Sequence, residues 1–108
     1  MTSIKRSKVL YDASTAGNGD WFRLDSRYDQ DAQRPLYGTV TAGDTVTIQG
    51  TTVDVRGEED PTLTLDADDI TDIEAFTDDF NKVLNGPWTY IRVKKVGTNG
   101  NSKVRGFI

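Results

Sequence analysis

Along this chain apolar residues alternate with polar ones more often than they recur at helical spacing. Val46 and Ile48 flank Thr47, and Val53 and Val55 flank Asp54. This is the period-two signature of strands with one face buried. The clearest β region runs from Leu36 to Leu65. In it Tyr37–Thr41 leads through Ala42-Gly43-Asp44 into Thr45–Gln49, and Gly50-Thr51 leads to Thr52–Arg56. Short connections containing glycine predict antiparallel neighbours in a meander. Pro61–Leu65 is a further candidate strand.

Upstream, Lys8–Tyr11 reads as a first strand and Asp12–Asn18 as a loop of small residues. Asp20–Asp25 follows as a strand, with Phe22 and Leu24 on one face and Trp21 and Arg23 on the other. Residues 26–35 are polar without alternation, as expected of a long surface loop.

The last third, from Gly86, alternates through Trp88-Thr89-Tyr90-Ile91-Arg92-Val93, then meets Gly97-Thr98-Asn99-Gly100 and a second short run. An Asn-Gly turn between two alternating runs predicts a hairpin. Arg92 and Lys94 then share a face opposite Ile91 and Val93. The one candidate helix lies near residues 72–84, where Ile73, Phe76, Phe80, Val83 and Leu84 fall at roughly helical spacing before Asn85-Gly86-Pro87. Against it, Thr77, Asp78, Asp79 and Asn81 are poor helix formers, and a sandwich would place a β segment here.

These elements predict an all-β fold: an antiparallel β-sandwich or jelly-roll-like domain of seven to eight strands, with at most that one short helix. The expected core is Phe22, Leu24, Val40, Val46, Ile48, Val53, Val55, Ile91, Val93 and Val104. Residues 1–7 read as a short basic arm and residues 8–108 as one domain, the size of a single core.

Composition narrows the chemistry. The 108 residues include no cysteine and no histidine. That removes disulfides, thiolate nucleophiles and the commonest general base and zinc ligand. No stretch is long and apolar enough for a membrane span, and no apolar run follows Met1–Arg6. The sequence therefore predicts a soluble protein made in a cytoplasm.

The net charge of −4 is unevenly spread. Residues 58–79 carry Glu58, Glu59, Asp60, Asp66, Asp68, Asp69, Asp72, Glu74, Asp78 and Asp79 without a basic side chain. Residues 80–108 carry Lys82, Arg92, Lys94, Lys95, Lys103 and Arg105 without an acid. Such segregation is neutralised within the fold or matched between copies, and the acidic total argues against a specific nucleic-acid partner.

The run Asp66-Ala67-Asp68-Asp69, with Asp72 and Glu74, is the nearest thing to a calcium loop, but it lacks the spacing and glycine of an EF-hand. Its plainer reading is solvated acidic surface. Trp21, Trp88 and Tyr90 offer a stacking surface for a sugar or single-stranded nucleic acid, against the plainer reading of core aromatics. No catalytic residue, cofactor site or metal site is expected. Lys5, Arg6, Lys8, Arg92 and Lys94 are the candidate partner contacts.

The order of segments resembles small structural proteins of tailed bacteriophages, especially short-tailed ones. The features that carry it are Gly17-Asn18-Gly19-Asp20-Trp21-Phe22-Arg23-Leu24, then Gly38-Thr39-Val40 followed by Val46-Thr47-Ile48-Gln49. Trp88–Val93 with Gly97-Thr98-Asn99-Gly100 completes the order. The resemblance implies a non-enzymatic virion component made in the host cytoplasm. Foremost is a capsid decoration or cement protein bound to the major capsid protein, and next a neck, tail or fibre subunit. Independently, the edge strands of such a sheet, with the acidic 58–79 stretch able to meet the basic 92–105 segment of another copy, predict a homo-oligomer, with a trimer favoured. The rival from another class is a carbohydrate-binding β module.

Overall fold

Nine strands make up the computed structural model, which describes residues 7–24, 34–53 and 65–107. They are β1 (Ser7–Ala13), β2 (Gly17–Asn18), β3 (Phe22–Arg23), β4 (Arg34–Gly38) and β5 (Thr45–Thr51), followed by β6 (Thr71–Phe76), β7 (Phe80–Leu84), β8 (Tyr90–Val96) and β9 (Ser102–Phe107). A 3-10 turn at Ala67–Asp69 precedes β6. Two antiparallel sheets form a sandwich. One has the order β1-β9-β4-β7; the other has the order β2-β8-β5-β6, with β3 also paired to β8.

The core closes between the sheets. Leu10, Leu36, Leu84 and Val104 of the four-stranded sheet meet Val46, Ile48, Ile91 and Val93 of the five-stranded one, with Leu24 and Val40 at the ends. The alternation read from Val46/Ile48 and Ile91/Val93 is thus the real inward face. Of the remaining expected core, Phe22 and Val53 are half-buried, and Val55 lies outside the described residues.

Three local expectations are corrected. The meander is not continuous, because β4 and β5 belong to different sheets and Thr39–Asp44 carries the chain across the sandwich. Nor is the C-terminal segment a hairpin: β8 pairs with β2, β3 and β5, whereas β9 pairs with β1 and β4. Finally, residues 72–84 form no helix but two strands, again one in each sheet.

The helical spacing has a β explanation. A bulge opposite Ile48/Gln49 adds one residue to β6, so Ile73 and Phe76 both reach the interior three residues apart. The turn at residues 77–79 then reverses the chain, and the Phe76 and Phe80 rings stack with centroids 3.9 Å apart. Phe80 and Leu84 are two strand repeats apart on one face. Asp79, unfavourable in a helix, instead accepts the Val40 N–H through Oδ1 at 2.9 Å.

Candidate interaction surface

Where β4 crosses to β5 and β8 crosses to β9, the loops enclose a buried ion pair. Asp44 and Lys95 are both fully shielded from solvent, with Lys95 Nζ 3.5 Å from Asp44 Oδ2. Lys95 sits on β8 opposite Val46, at an inward position that the alternation fills with apolar residues elsewhere. Its ammonium donates to the carbonyls of Ala13 at 3.3 Å, Ser14 at 3.2 Å and Gly100. Three carbonyls match the three donors of an ammonium.

Asp44 is equally satisfied. Its Oδ1 accepts the Asn99 backbone N–H at 3.0 Å and Nδ2 at 2.8 Å, and its Oδ2 accepts the Gly100 N–H at 3.2 Å. The Asn99 backbone bond, ahead of opposing desolvation, holds the Asp44 carboxyl below its ordinary pKa; the Asn99 side chain, Gly100 and Lys95 add to it. Gly97 makes the crossing possible. It has φ +100°, and a Cβ there would strike Asp44. The pair therefore joins three loops at one end of the sandwich.

On the outer face of the five-stranded sheet, polar and aromatic groups run across strands. The Arg92 guanidinium lies 4.6 Å from the Trp21 ring centroid, within cation–π range. Arg92 Nε donates to Gln49 Oε1 at 2.8 Å, and Gln49 Nε2 donates to Asp72 Oδ1 at 2.7 Å. Part of the basic tail is thus linked to the acidic segment inside one copy. Trp21 is only 7% exposed, so its face offers no open stacking platform. Trp88 is half-buried, and its Nε1 donates to the Asn85 carbonyl at 3.0 Å.

The candidate contacts are consequently dispersed. Lys8 is exposed on β1 with its Nζ 4.9 Å from the Phe22 ring centroid. Arg92 and Lys94 are half-buried on the outer face of the five-stranded sheet. Lys5 and Arg6 lie outside the described residues, and β1 already begins at Ser7, the last residue of the expected arm.

The outer face of the four-stranded sheet is different. Val9, Arg105, Tyr37 and Asn81 form one cross-strand row, and Pro35 and Val83 lie opposite each other beside it. Val9, Tyr37 and Val83 are large apolar side chains left 38–41% exposed. Lys103 and Arg105 set two cations on the same face. Tyrosine and arginine are enriched at protein interfaces, and here they stand beside exposed valines. This face is not legible in the sequence, because nothing local to either strand signals that β4 and β9 pair in one sheet.

At the β6–β7 edge the sandwich gapes. A cleft of about 200 Å³ is lined by Leu36, Ile48, Ile73, Phe76 and Leu84, with Glu74 and Lys82 in its wall. Lys82 Nζ is 3.1 Å from Glu74 Oε1, an ion pair bridging the two sheets in a solvent-exposed setting. The neighbouring acids do not assemble for a cation: among the described residues no three carboxylates converge. Asp69 is instead used locally, its Oδ2 accepting the Asp66 N–H at 2.9 Å.

Asp44 and Lys95 are the important residues that sequence reading overlooked. One available signal was a lysine standing in phase with Ile91 and Val93, an apolar register. The chain matches no known family model, no curated protein and no solved structure.

Proposed function

We propose that this chain is a non-enzymatic virion structural protein of a tailed bacteriophage, a decoration or cement protein that binds the assembled shell. The observation that carries the proposal is the outer face of the four-stranded sheet, where Val9, Tyr37, Val83 and Arg105 are presented together. The segment order described above supplies the phage context. The shell would be stabilised by mass action, since a ligand that binds only the assembled state shifts the equilibrium toward it. The chain acts as a homo-oligomer, a trimer in the favoured form, with the basic arm at Lys5 and Arg6 reaching a neighbouring subunit.

The test is co-sedimentation of the full chain with particles of the phage that encodes it, followed by quantitative mass spectrometry. A decoration protein is expected on the order of hundreds of copies per particle, whereas a neck ring supplies about a dozen. Absence from the particles overturns the virion reading. A dozen copies moves the chain to the neck or tail.

A further inference from the structure

Within the reading of a self-assembling chain, we propose that the β6–β7 cleft is the receptor for the Ile4-Lys5-Arg6 segment of a second copy. The cleft has the three properties such a segment requires. Its floor is apolar, formed by Leu36, Ile48, Ile73, Phe76 and Leu84. Its volume of about 200 Å³ accommodates a branched aliphatic side chain such as that of Ile4. And both bordering strands end their sheets: β6 is the last described strand of one and β7 of the other. Edge strands carry backbone donors and acceptors that an added extended segment can pair.

Charge selects the occupant. Beside the cleft, exposed Asp78 and Asp79 lie in the turn that joins β6 to β7, with Asp79 also accepting the Val40 N–H, while Asp72 on β6 is engaged by Gln49. Lys82 is already matched by Glu74. An apolar residue followed directly by two cations complements an apolar floor with an acidic border. In this chain that order occurs at Ile4-Lys5-Arg6 and at Val93-Lys94-Lys95, and the latter is fixed in β8 with Val93 and Lys95 buried.

Geometry assigns the segment to another copy. β1 and β7 are the opposite ends of the order β1-β9-β4-β7, so three strand spacings, about 14 Å, separate them. Ile4 is three residues before Ser7, the first residue of β1, and three extended residues span at most about 11 Å. A straight line between them is blocked by β9 and β4, so the segment of the same copy would need a longer path around the sheet, whereas that of a neighbour is under no such limit. Each copy both gives and receives, which either a reciprocal two-fold pair or a head-to-tail ring satisfies when the rotation permits.

The chain has no cysteine, which allows a direct test in the full-length protein. Chains carrying Ile4→Cys and Asn85→Cys are mixed under mild oxidation. Asn85 is exposed, lines the cleft and engages Trp88 only through its backbone carbonyl. The mixed disulfide is expected to form at least about tenfold faster than that between Ile4→Cys and Thr98→Cys, because seating the segment raises the effective concentration of the pair. Adding Asp78→Lys, or about 0.5 M salt, is expected to erase the advantage by removing or screening the border charge.

Equal rates for the two pairs overturn the proposal, as does an advantage insensitive to both Asp78→Lys and salt. The double variant Ile4→Cys/Asn85→Cys provides a second check. A monomeric disulfide forming at a concentration-independent rate would identify the same copy as donor and sink the intermolecular assignment. Particle binding does not enter these measurements. A chain that decorates particles without the cross-link keeps its proposed function and loses this receptor.

Discussion

Lys95 and Asp44 form an ion pair 3.5 Å apart with neither side chain exposed to water, at the end of the sandwich where three loops meet. Removing two charges from water costs more than their attraction returns unless every remaining donor and acceptor is matched. Here the matching groups are backbone atoms of Ala13, Ser14, Asn99 and Gly100, so the pair fixes loop conformation. Replacing Lys95 alone leaves a carboxylate buried without its counter-charge. Lys95→Met is expected to lower the melting temperature by roughly 10–20 °C, a large effect for a domain of this size. The double variant Lys95→Met/Asp44→Asn is expected to lose less than the sum of the two single losses. Thermal denaturation of the four chains measures the coupling, and additive losses would show that the two residues act independently.

The same carboxylate gives the fold a pH dependence of defined sign. Hydrogen bonds from Asn99 and Gly100, with Lys95 nearby, favour the charged form and hold the folded pKa of Asp44 below its ordinary value. A depressed acid binds its proton more weakly folded than unfolded. Its stabilisation is therefore complete above the ordinary value of about 4 and is lost as pH falls through the lower folded value. Melting temperatures measured from neutral pH down into the acid range are expected to differ most between the native chain and Asp44→Asn at neutrality. The difference should narrow below the ordinary carboxylate range.

Gly97 is expected to tolerate no side chain. A residue with a Cβ meets strain at φ +100° and collides with the Asp44 carboxylate. Gly97→Ala is expected to cost about 1–3 kcal/mol in urea unfolding, with an unchanged m-value if only the native loop is affected.

The fold class was legible because strands betray themselves through alternation, and Val46, Ile48, Ile91, Val93 and Val104 all lie where that pattern puts them. Sheet membership was not legible. A short glycine-containing connection is compatible both with a hairpin and with an arch that crosses the sandwich. What decides between them at residues 97–101 is Asp44, more than fifty positions earlier, gripping Asn99 and Gly100. The segment 72–84 misled for a related reason: a bulge and a turn together shift the strand period into helical spacing. Val83 exposes the difference. The helical pattern places it inside, whereas on β7 it lies opposite Pro35 and is 38% exposed.

Leu84 and the Glu74–Lys82 pair separate packing from surface charge at the β6–β7 edge. Leu84 is 5% exposed and belongs to the core cluster. Leu84→Ala is expected to cost about 2–5 kcal/mol, because lost burial is compounded by enlargement of the adjoining cleft. Lys82→Met breaks an ion pair whose side chains are 53% and 41% exposed, and solvent screening limits that loss to below about 1 kcal/mol. Equal losses in chemical denaturation would mean that the ion pair, not the core, closes this edge.

Trp21 and Trp88 distinguish an assembly module from a sugar-binding one. Trp21 is nearly buried, with the Arg92 guanidinium 4.6 Å from its ring centroid. A stacking platform needs a ring face open to the sugar, and Trp88 is half-buried as well. In a Trp88→Phe chain the emission of Trp21 is expected to resist quenching by acrylamide. In that background Arg92→Ala removes the group lying against the indole and is expected to raise the quenching while leaving the β-sheet circular dichroism unchanged. Adding glycans to the native chain is expected to shift neither tryptophan emission nor the melting temperature, since no ring surface becomes covered. A glycan-dependent shift abolished by Trp21→Ala would reverse the assignment, because it would require Arg92 to leave the indole and the sugar to take its place.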